Sequence, residues 1–349
     1  MNATRGWSRS TLALAVLAAC SGSGTVAPSS SGAVNRVPEN PQDDRTDTVA
    51  RRAEIPESVD ARERVLFTKA GSVWMMKPDG SDATQLTVRS HVASDVAPAL
   101  SPRGDAIAWA SARDGAARIY VMSLTDLLPA AITRGEGGGD GAPAWSPDGK
   151  QIAFVRGGGD RRDLYVVAAD GVAPRLLLRG DDAQVDAVGA PAWSPDGRTI
   201  VWAADRRQGK GTLLWRVDPA TGALEPLTPV RAGAWFVRDG DPCWSPDGKQ
   251  VVFTSNRQAT SADGAADTDL YMIGADGSGL TRLTDDPGRA SDPAFSPDGH
   301  RLYFVSTRDR TNTYESELWV MAGTGGKQRR ITHDERPQNA APSVGRVAK

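Results

Sequence analysis

Hydrophobic positions in this chain come in short bursts rather than long periodic stretches. From residue 64 onward they gather into runs such as Ile107-Ala108-Trp109, Ile152-Ala153-Phe154, Ile200-Val201-Trp202, Val251-Val252-Phe253 and Leu302-Tyr303-Phe304, each bounded by Gly, Pro, Asp or Asn. Runs this short, rich in β-branched and aromatic residues and closed off by turn formers, predict strands. Their near-continuous apolar character predicts sheets covered on both faces. A second series, from Ile119-Tyr120-Val121-Met122 to Leu318-Trp319-Val320-Met321, follows each of the first at a similar distance.

The punctuation between runs repeats. Pro98-Ala-Leu-Ser-Pro-Arg-Gly104 recurs as Pro143-Ala-Trp-Ser-Pro-Asp-Gly149, Pro191-Ala-Trp-Ser-Pro-Asp-Gly197, Pro242-Cys-Trp-Ser-Pro-Asp-Gly248 and Pro293-Ala-Phe-Ser-Pro-Asp-Gly299, at spacings of 45, 48, 51 and 51 residues. A degenerate copy, Pro342-Ser-Val-Gly345, follows 49 residues later. Each unit reads as four strands, a to d. Strand a opens with a proline, which has no N–H to give a ladder, so it belongs at a sheet edge. Ser-Pro-Asp-Gly forms the tight turn to strand b, strand c follows, and strand d ends in Leu-Thr or Ile-Thr.

A repeated four-stranded antiparallel unit of this length is one blade of a β-propeller. Before the first full unit, Val65-Leu66-Phe67, Val73 to Met76 and Leu86-Thr87 supply strands b, c and d without a strand a; after the fifth, Pro342 to Val344 supply a strand a alone. The expected fold is therefore all-β, a six-bladed propeller whose ring is closed by the C-terminal strand joining the N-terminal blade.

The repeat resembles the WD40-like PD40 repeat of the TolB-type β-propellers over roughly residues 64 to 345, carried by Ser-Pro-Asp-Gly and the apolar-aromatic strand after it. The namesake of that family adds an N-terminal α/β domain. This chain instead offers Arg5 and Arg9, nine apolar-rich residues from Thr11 to Ala19, and Leu17-Ala-Ala-Cys20, which resembles the lipobox of bacterial lipoproteins. That resemblance implies a signal peptide over 1–19 and acylation of Cys20; Ser21 in the next position implies sorting to the outer membrane. Residues 20–62, rich in Ser, Gly and Pro, read as a flexible tether, leaving 63–349 as the propeller.

Forty-one basic against 43 acidic residues leave a net charge of −2, no field for nucleic acid. Cys20 and Cys243 alone cannot form a disulfide framework or a cysteine zinc site. There is no Gly-x-Ser-x-Gly elbow and no phosphate-cradling loop, so the expectation is a non-catalytic, cofactor-free, monomeric module, held at the membrane by lipid alone. It binds a protein or cell-envelope ligand through its variable loops, facing the periplasm or the cell surface. Candidate binding residues are Trp235 and Phe236 in the long 229–241 loop. With them go the acidic positions before the repeat proline, Asp95, Asp140, Asp239, Asp241 and Asp292, and Asn339. The alternative is a glycan binder or a metal-dependent polysaccharide lyase. It rests on His91 and His333, which start loops on that face, and is similar to the pectate-degrading lyases built on related propellers.

Overall fold

The computed structural model describes residues 54–55, 60–88, 94–135, 138–157, 162–171, 174–179, 185–187, 189–206, 211–229, 237–258, 268–308, 315–333 and 339–348. Every regular element longer than a turn among them is a β-strand, and the strands are numbered β1 to β25 in chain order.

Each repeat forms one antiparallel group. The second group is β4 (Asp95–Leu100), β5 (Ala106–Ser111), β6 (Arg118–Ser123) and β7 (Pro129–Ala131), hydrogen-bonded in that order. The third is β8 (Asp140–Trp145), β9 (Gln151–Arg156), β10 (Asp163–Ala168) and β11 (Arg175–Leu178). In the fourth, β12 (Val185–Ala187) and β13 (Ala192–Trp193) both pair with β14 (Ile200–Arg206), which pairs with β15 (Gly211–Val217), followed by β16 (Leu224–Pro226). The fifth is β17 (Val237–Trp244), β18 (Gln250–Ser255), β19 (Asp269–Gly274) and β20 (Thr281–Arg282), and the sixth β21 (Ala290–Phe295), β22 (Arg301–Ser306), β23 (Glu317–Ala322) and β24 (Gln328–Arg330). The first group is completed from the far end of the chain: β25 (Asn339–Arg346) pairs antiparallel with β1 (Glu63–Lys69), which leads to β2 (Ser72–Met76) and β3 (Thr84–Gln85). A short parallel bridge, Gly211 and Thr212 against Val237 and Arg238, fuses the fourth and fifth groups into one nine-stranded sheet.

Alternation within the b strands builds the core. Side chains on successive strand residues point to opposite faces, so each b strand packs against both neighbouring groups. Leu66 joins Ile107, Trp109 and Tyr120 of the second group, whereas Val65 and Phe67 join Tyr303, Val305 and Leu318 of the sixth. Four further clusters link the second to the third group, the third to the fourth, the fourth to the fifth and the fifth to the sixth. This two-sided burial explains why the b strands carry no polar alternation.

Two devices recur among the units. The hydroxyls of Thr87, Thr133, Thr228, Thr284 and Thr332, ending strand d, accept the N–H of Val73, Ile119, Leu214, Leu270 and Leu318 at 2.9–3.0 Å. In the turns, Ser146, Ser194, Ser245 and Ser296 donate Oγ–H to Asp148, Asp196, Asp247 and Asp298 at 2.5–2.7 Å. That bond holds the carboxyls of Asp148, Asp196 and Asp247 below the usual range. The repeat tryptophans serve packing between units: the indole N–H of Trp145 reaches the carbonyl of Ala99 at 3.1 Å, and that of Trp244 the carbonyl of Ala192 at 3.2 Å.

The first group has no Ser-Pro-Asp-Gly turn, and the C-terminal segment occupies its place. Ala348 donates its N–H to the carbonyl of Gly104, and a Cβ on Gly104 would sit 1.7 Å from the carbonyl oxygen of Arg346. At the other end of the chain Ile55 packs on the cluster joining the first and sixth groups, and Asp60 pairs with Arg346 at 2.8 Å. Glu63 is buried there, with its carboxylate on Arg301 at 2.6 Å and on the Tyr303 hydroxyl at 2.9 Å.

Candidate functional site

The a strands share an irregularity that decides where their side chains go. The pairing of a with b shifts register between Val96 and Ala99, Gly141 and Ala144, Gly240 and Cys243, and Ser291 and Ala294. At each shift the residue before the proline takes a left-handed backbone: Ala97, Ala142, Asp241 and Asp292 have φ of 51°, 52°, 46° and 51°, and Ala341 has 49°. The bulge costs little in hydrogen bonding because proline has no N–H to leave unpaired. Flanking positions are small, with Ala99, Ala144 and Ala192 just after the proline and Gly141, Gly189 and Gly240 two residues before it. Across this half-buried surface of small residues, Asp241 and Asp292 are the two charged side chains before the prolines.

Three of the acidic candidates take no part in that surface. Asp95, Asp140 and Asp239 are buried and each meets an arginine: Arg113 at 2.6 Å, Arg156 at 2.7 Å and Arg257 at 2.7 Å. Each guanidinium also lies over two aromatic rings of its own group, Arg113 over Trp109 and Tyr120, Arg156 over Phe154 and Tyr165, Arg257 over Phe253 and Tyr271. Arg308 repeats the stacking on Phe304 and Trp319, but Ala290 stands where the carboxylate would be, and Arg308 pairs with Asp286 instead. Asn339 is fully buried, its amide donating to Glu317 and Thr332. The structure places Asp95, Asp140, Asp239 and Asn339 with their polar groups bonded to other side chains inside the protein. Sequence reasoning missed the arginines. The signal was present, since Arg113, Arg257 and Arg308 each stand 15 residues after a repeat proline, and Arg156 stands 13 after.

Asp241 and Asp292 are different. They occupy equivalent bulges on a strands of consecutive groups, and the backbone N–H of Asp292 is directed at the Asp241 carboxyl. Ser291 donates its hydroxyl to Asp292 at 2.8 Å. Burial, and then the neighbouring charge of Asp292, push the Asp241 carboxyl up to about 7. Burial also raises Asp292, while Arg289 favours the ionised form of both. Cys243, two residues on, is half-buried against the cluster of the fifth and sixth groups, and burial pushes its thiol up to about 11.

His333 is exposed, and its Nδ1 accepts from Arg330 at 3.1 Å. Cys20, His91, Trp235 and Phe236 lie outside the described residues. Among the described residues no three His, Cys, Asp or Glu side chains are grouped to hold a metal ion.

Comparison with known proteins agrees with this geometry. The PD40 family profile, described as the TolB beta propeller domain, matches residues 63–234 and 238–346. Among solved structures, TolB from Acinetobacter baumannii superposes with a TM-score of 0.64 at 20% identity, covering 81% of this chain and 66% of that one. A putative TolB from Agrobacterium tumefaciens gives 0.59 at 21% identity, covering 78% and 90%. An oligogalacturonate lyase in complex with manganese gives 0.50 at 18% identity, covering 81% and 74%. At these identities the likeness is one of fold. In sequence, the uncharacterized peptidase YuxL of Bacillus subtilis is 34% identical over 89 residues, 26% of this chain. The uncharacterized protein Atu1656 of Agrobacterium fabrum is 35% identical over 89 residues, again 26% of this chain. The chain spans only 12% and 27% of the lengths of these two curated relatives.

Proposed function

The chain belongs to the TolB β-propeller family with PD40 repeats, and from that membership we propose that it is a non-catalytic binding module of the bacterial cell envelope. In this reading the six strand groups close into a six-bladed ring, with β25 as the closing strand, and the ring presents a protein or envelope ligand with the surface between the a strands and the adjoining loops. Cys20 carries the lipid that holds the module at the outer membrane, facing the periplasm or the cell surface. Several acyl chains at about 0.8 kcal/mol per buried CH₂ suffice for a stable anchor.

The observation that carries the binding reading is the pairing of two half-buried acidic side chains, Asp241 and Asp292, in a surface otherwise built of small residues. Carboxyls whose ionised form burial disfavours, gathered on one surface, mark it as a candidate binding site. The test immobilises the full chain and measures capture of a solubilised envelope fraction by the wild type and by Trp235→Ala with Asp241→Asn. Capture that the double variant loses, with its melting temperature kept, supports the reading; equal capture by both refutes it. For the anchor, Cys20→Ala should move the protein from the membrane to the soluble fraction, and a variant that still sediments with membranes removes the lipid from the account. Deleting residues 338–349 should open the ring and cause aggregation or a large loss of melting temperature. A truncated chain that melts like the whole one argues against closure.

The fold likeness to a manganese-bound lyase favours a second reading, a metal-dependent polysaccharide lyase. Stoichiometric manganese in the purified protein, lost on His91→Ala or His333→Ala, would establish it in place of the binding module.

A further inference from the structure

The turn after β6 breaks a pattern that the other strand groups keep. Their c-to-d turns place a glycine in the left-handed region: Gly80, Gly171, Gly222, Gly277 and Gly325, with φ of 75–91°. In the second group that position belongs to Leu127, at φ 54°. Its N–H closes the turn on the Ser123 carbonyl at 3.0 Å, as that of Gly222 does on Asp218 at 2.8 Å. A leucine held in this region is strained, and burial returns little, for Leu127 is 52% exposed and Leu128 beside it 75%. Pro129, Ala130 and Ala131 of β7 are exposed as well, so five uncharged residues follow one another along this corner. A conformational cost borne by an exposed apolar side chain points to a contact beyond the chain.

The position of the corner identifies that contact. Antiparallel strands put the a-to-b and c-to-d turns at one end of each group, and the turns of consecutive groups lie side by side. A Cβ on Gly149, Gly197, Gly248 or Gly299 would meet Arg103, Pro147, Pro195 or Pro246 of the preceding turn at 3.3–3.8 Å. Leu124 donates its N–H to the Asp105 carbonyl at 2.8 Å, which sets the leucines beside the a-to-b turn of their own group. The described chain begins and ends on this same surface. Glu54 pairs with Lys327, just after the c-to-d turn of the sixth group, and Ala348 donates its N–H to the carbonyl of Gly104. The stretch that runs from Cys20 therefore enters the described structure on the surface that carries Leu127 and Leu128.

We propose that Leu127 and Leu128 insert into a phospholipid surface, docking the turn end of the module on the membrane and leaving the b-to-c and d-to-a loops at the other end for its ligand. This rests on the lipid-anchored reading above and names the end that meets the membrane. A second copy of the chain is a poorer occupant, since five small-to-medium residues fall short of the about 800 Å² per partner of a stable interface. A bilayer makes no such demand, because the anchor holds the corner beside it at an effective concentration of about millimolar. Asp126 is exposed next to the leucines, and Arg103 is offset by Asp105 at 3.8 Å, so the corner has no basic excess and its attraction is apolar.

The test supplies the anchor artificially, so that the corner is examined apart from Cys20. The mature chain, with a hexahistidine tag standing in for the lipidated cysteine, is held on phosphatidylcholine vesicles that contain a nickel-chelating lipid. Amide hydrogen exchange is then followed by mass spectrometry. Burying two leucines favours the docked state by at least about tenfold, so exchange over residues 124–131 should slow by about that factor on vesicles, while the 285–289 loop at the other end is unchanged. High salt should leave the slowing intact. Leu127→Gly with Leu128→Ser should abolish it and melt no lower than the wild type, because glycine suits the left-handed position. No slowing on vesicles, slowing that survives the double variant, or slowing that high salt removes would overturn the proposal. So would slowing that appears without vesicles as protein concentration rises, which would put a second copy on the corner. The mass of Cys20 in the native protein decides the anchor separately. An unmodified cysteine with a protected corner removes the anchor alone, and an acylated cysteine with an unprotected corner removes this proposal alone.

Discussion

Removing the Glu63 carboxylate is the sharpest test of how the two ends of the chain are joined. Glu63 stands at the start of β1 and holds Arg301 and Tyr303 at the start of β22, 238 and 240 residues away. The side chains of Glu63 and Arg301 are 2% and 3% exposed, so Glu63→Ala leaves a guanidinium charge buried without its main partner. Breaking a buried pair from one side costs about 3–5 kcal/mol, and the Tyr303 hydroxyl loses its acceptor as well. Asp298, 3.6 Å from the same guanidinium and partly exposed, takes up some of the charge, so the lower end, about 3 kcal/mol, is the expectation. For a domain of this size that lowers the melting temperature by about 6–9 °C, readable by calorimetry or circular dichroism. Because desolvating an ion pair offsets much of its attraction, Glu63→Met with Arg301→Met should recover part of the loss relative to Glu63→Ala. The exposed pair of Glu54 with Lys327 supplies the control, since Glu54→Ala should cost no more than about 1 kcal/mol. If Glu63→Ala melts within 2 °C of the wild type, by the same ~2–3 °C per kcal/mol, the buried pair does not join the chain ends and the reasoning is wrong.

Other perturbations follow from the same structure. Gly104→Ala should destabilise by at least about 2 kcal/mol in urea, because its φ is 69° and the added Cβ would meet the Arg346 carbonyl. Thr284→Val should cost about 1–3 kcal/mol by orphaning the buried N–H of Leu270, whereas replacing the half-buried Thr281 should cost far less; equal losses would deny the hydroxyl its role. The Asp241 carboxyl titrates near 3.8 in the unfolded chain and is raised to about 7 in the folded one, so its contribution favours folding at low pH and is lost as pH climbs from about 4 to about 7. Asp241→Asn, with a residue that accepts the left-handed backbone, should flatten that part of the stability profile; an unchanged profile would mean the acid pair does not titrate there. The turn carboxylates of Asp148, Asp196 and Asp247 act in the opposite sense. Lowered below 3.8, they stabilise above that pH and lose their contribution as pH falls through their folded values, so replacing all three with Asn should remove acid sensitivity below about pH 4.

Features that neighbouring residues impose on one another were legible along the chain. Ser-Pro-Asp-Gly makes its turn from four consecutive residues, and Ile200-Val201-Trp202 is a doubly covered strand whatever surrounds it, because its apolar run needs two faces of cover. The split unit, with Val65-Leu66-Phe67 lacking a strand a and Pro342 to Val344 lacking all else, was likewise legible, and β25 does pair with β1. The fate of the acids depended on how separate strands pack. Asp239 and Asp241 are two residues apart on one strand, so simple alternation would place them on the same face. The left-handed bulge at Asp241 breaks that alternation, burying Asp239 against Arg257 and leaving Asp241 half-buried beside Asp292. A bulge is a property of two paired strands, and the pairing of Asp241 with Asp292, 51 residues on, is a property of two packed units. Neither is written in a local pattern, since both arise only when separate segments compete for the same space.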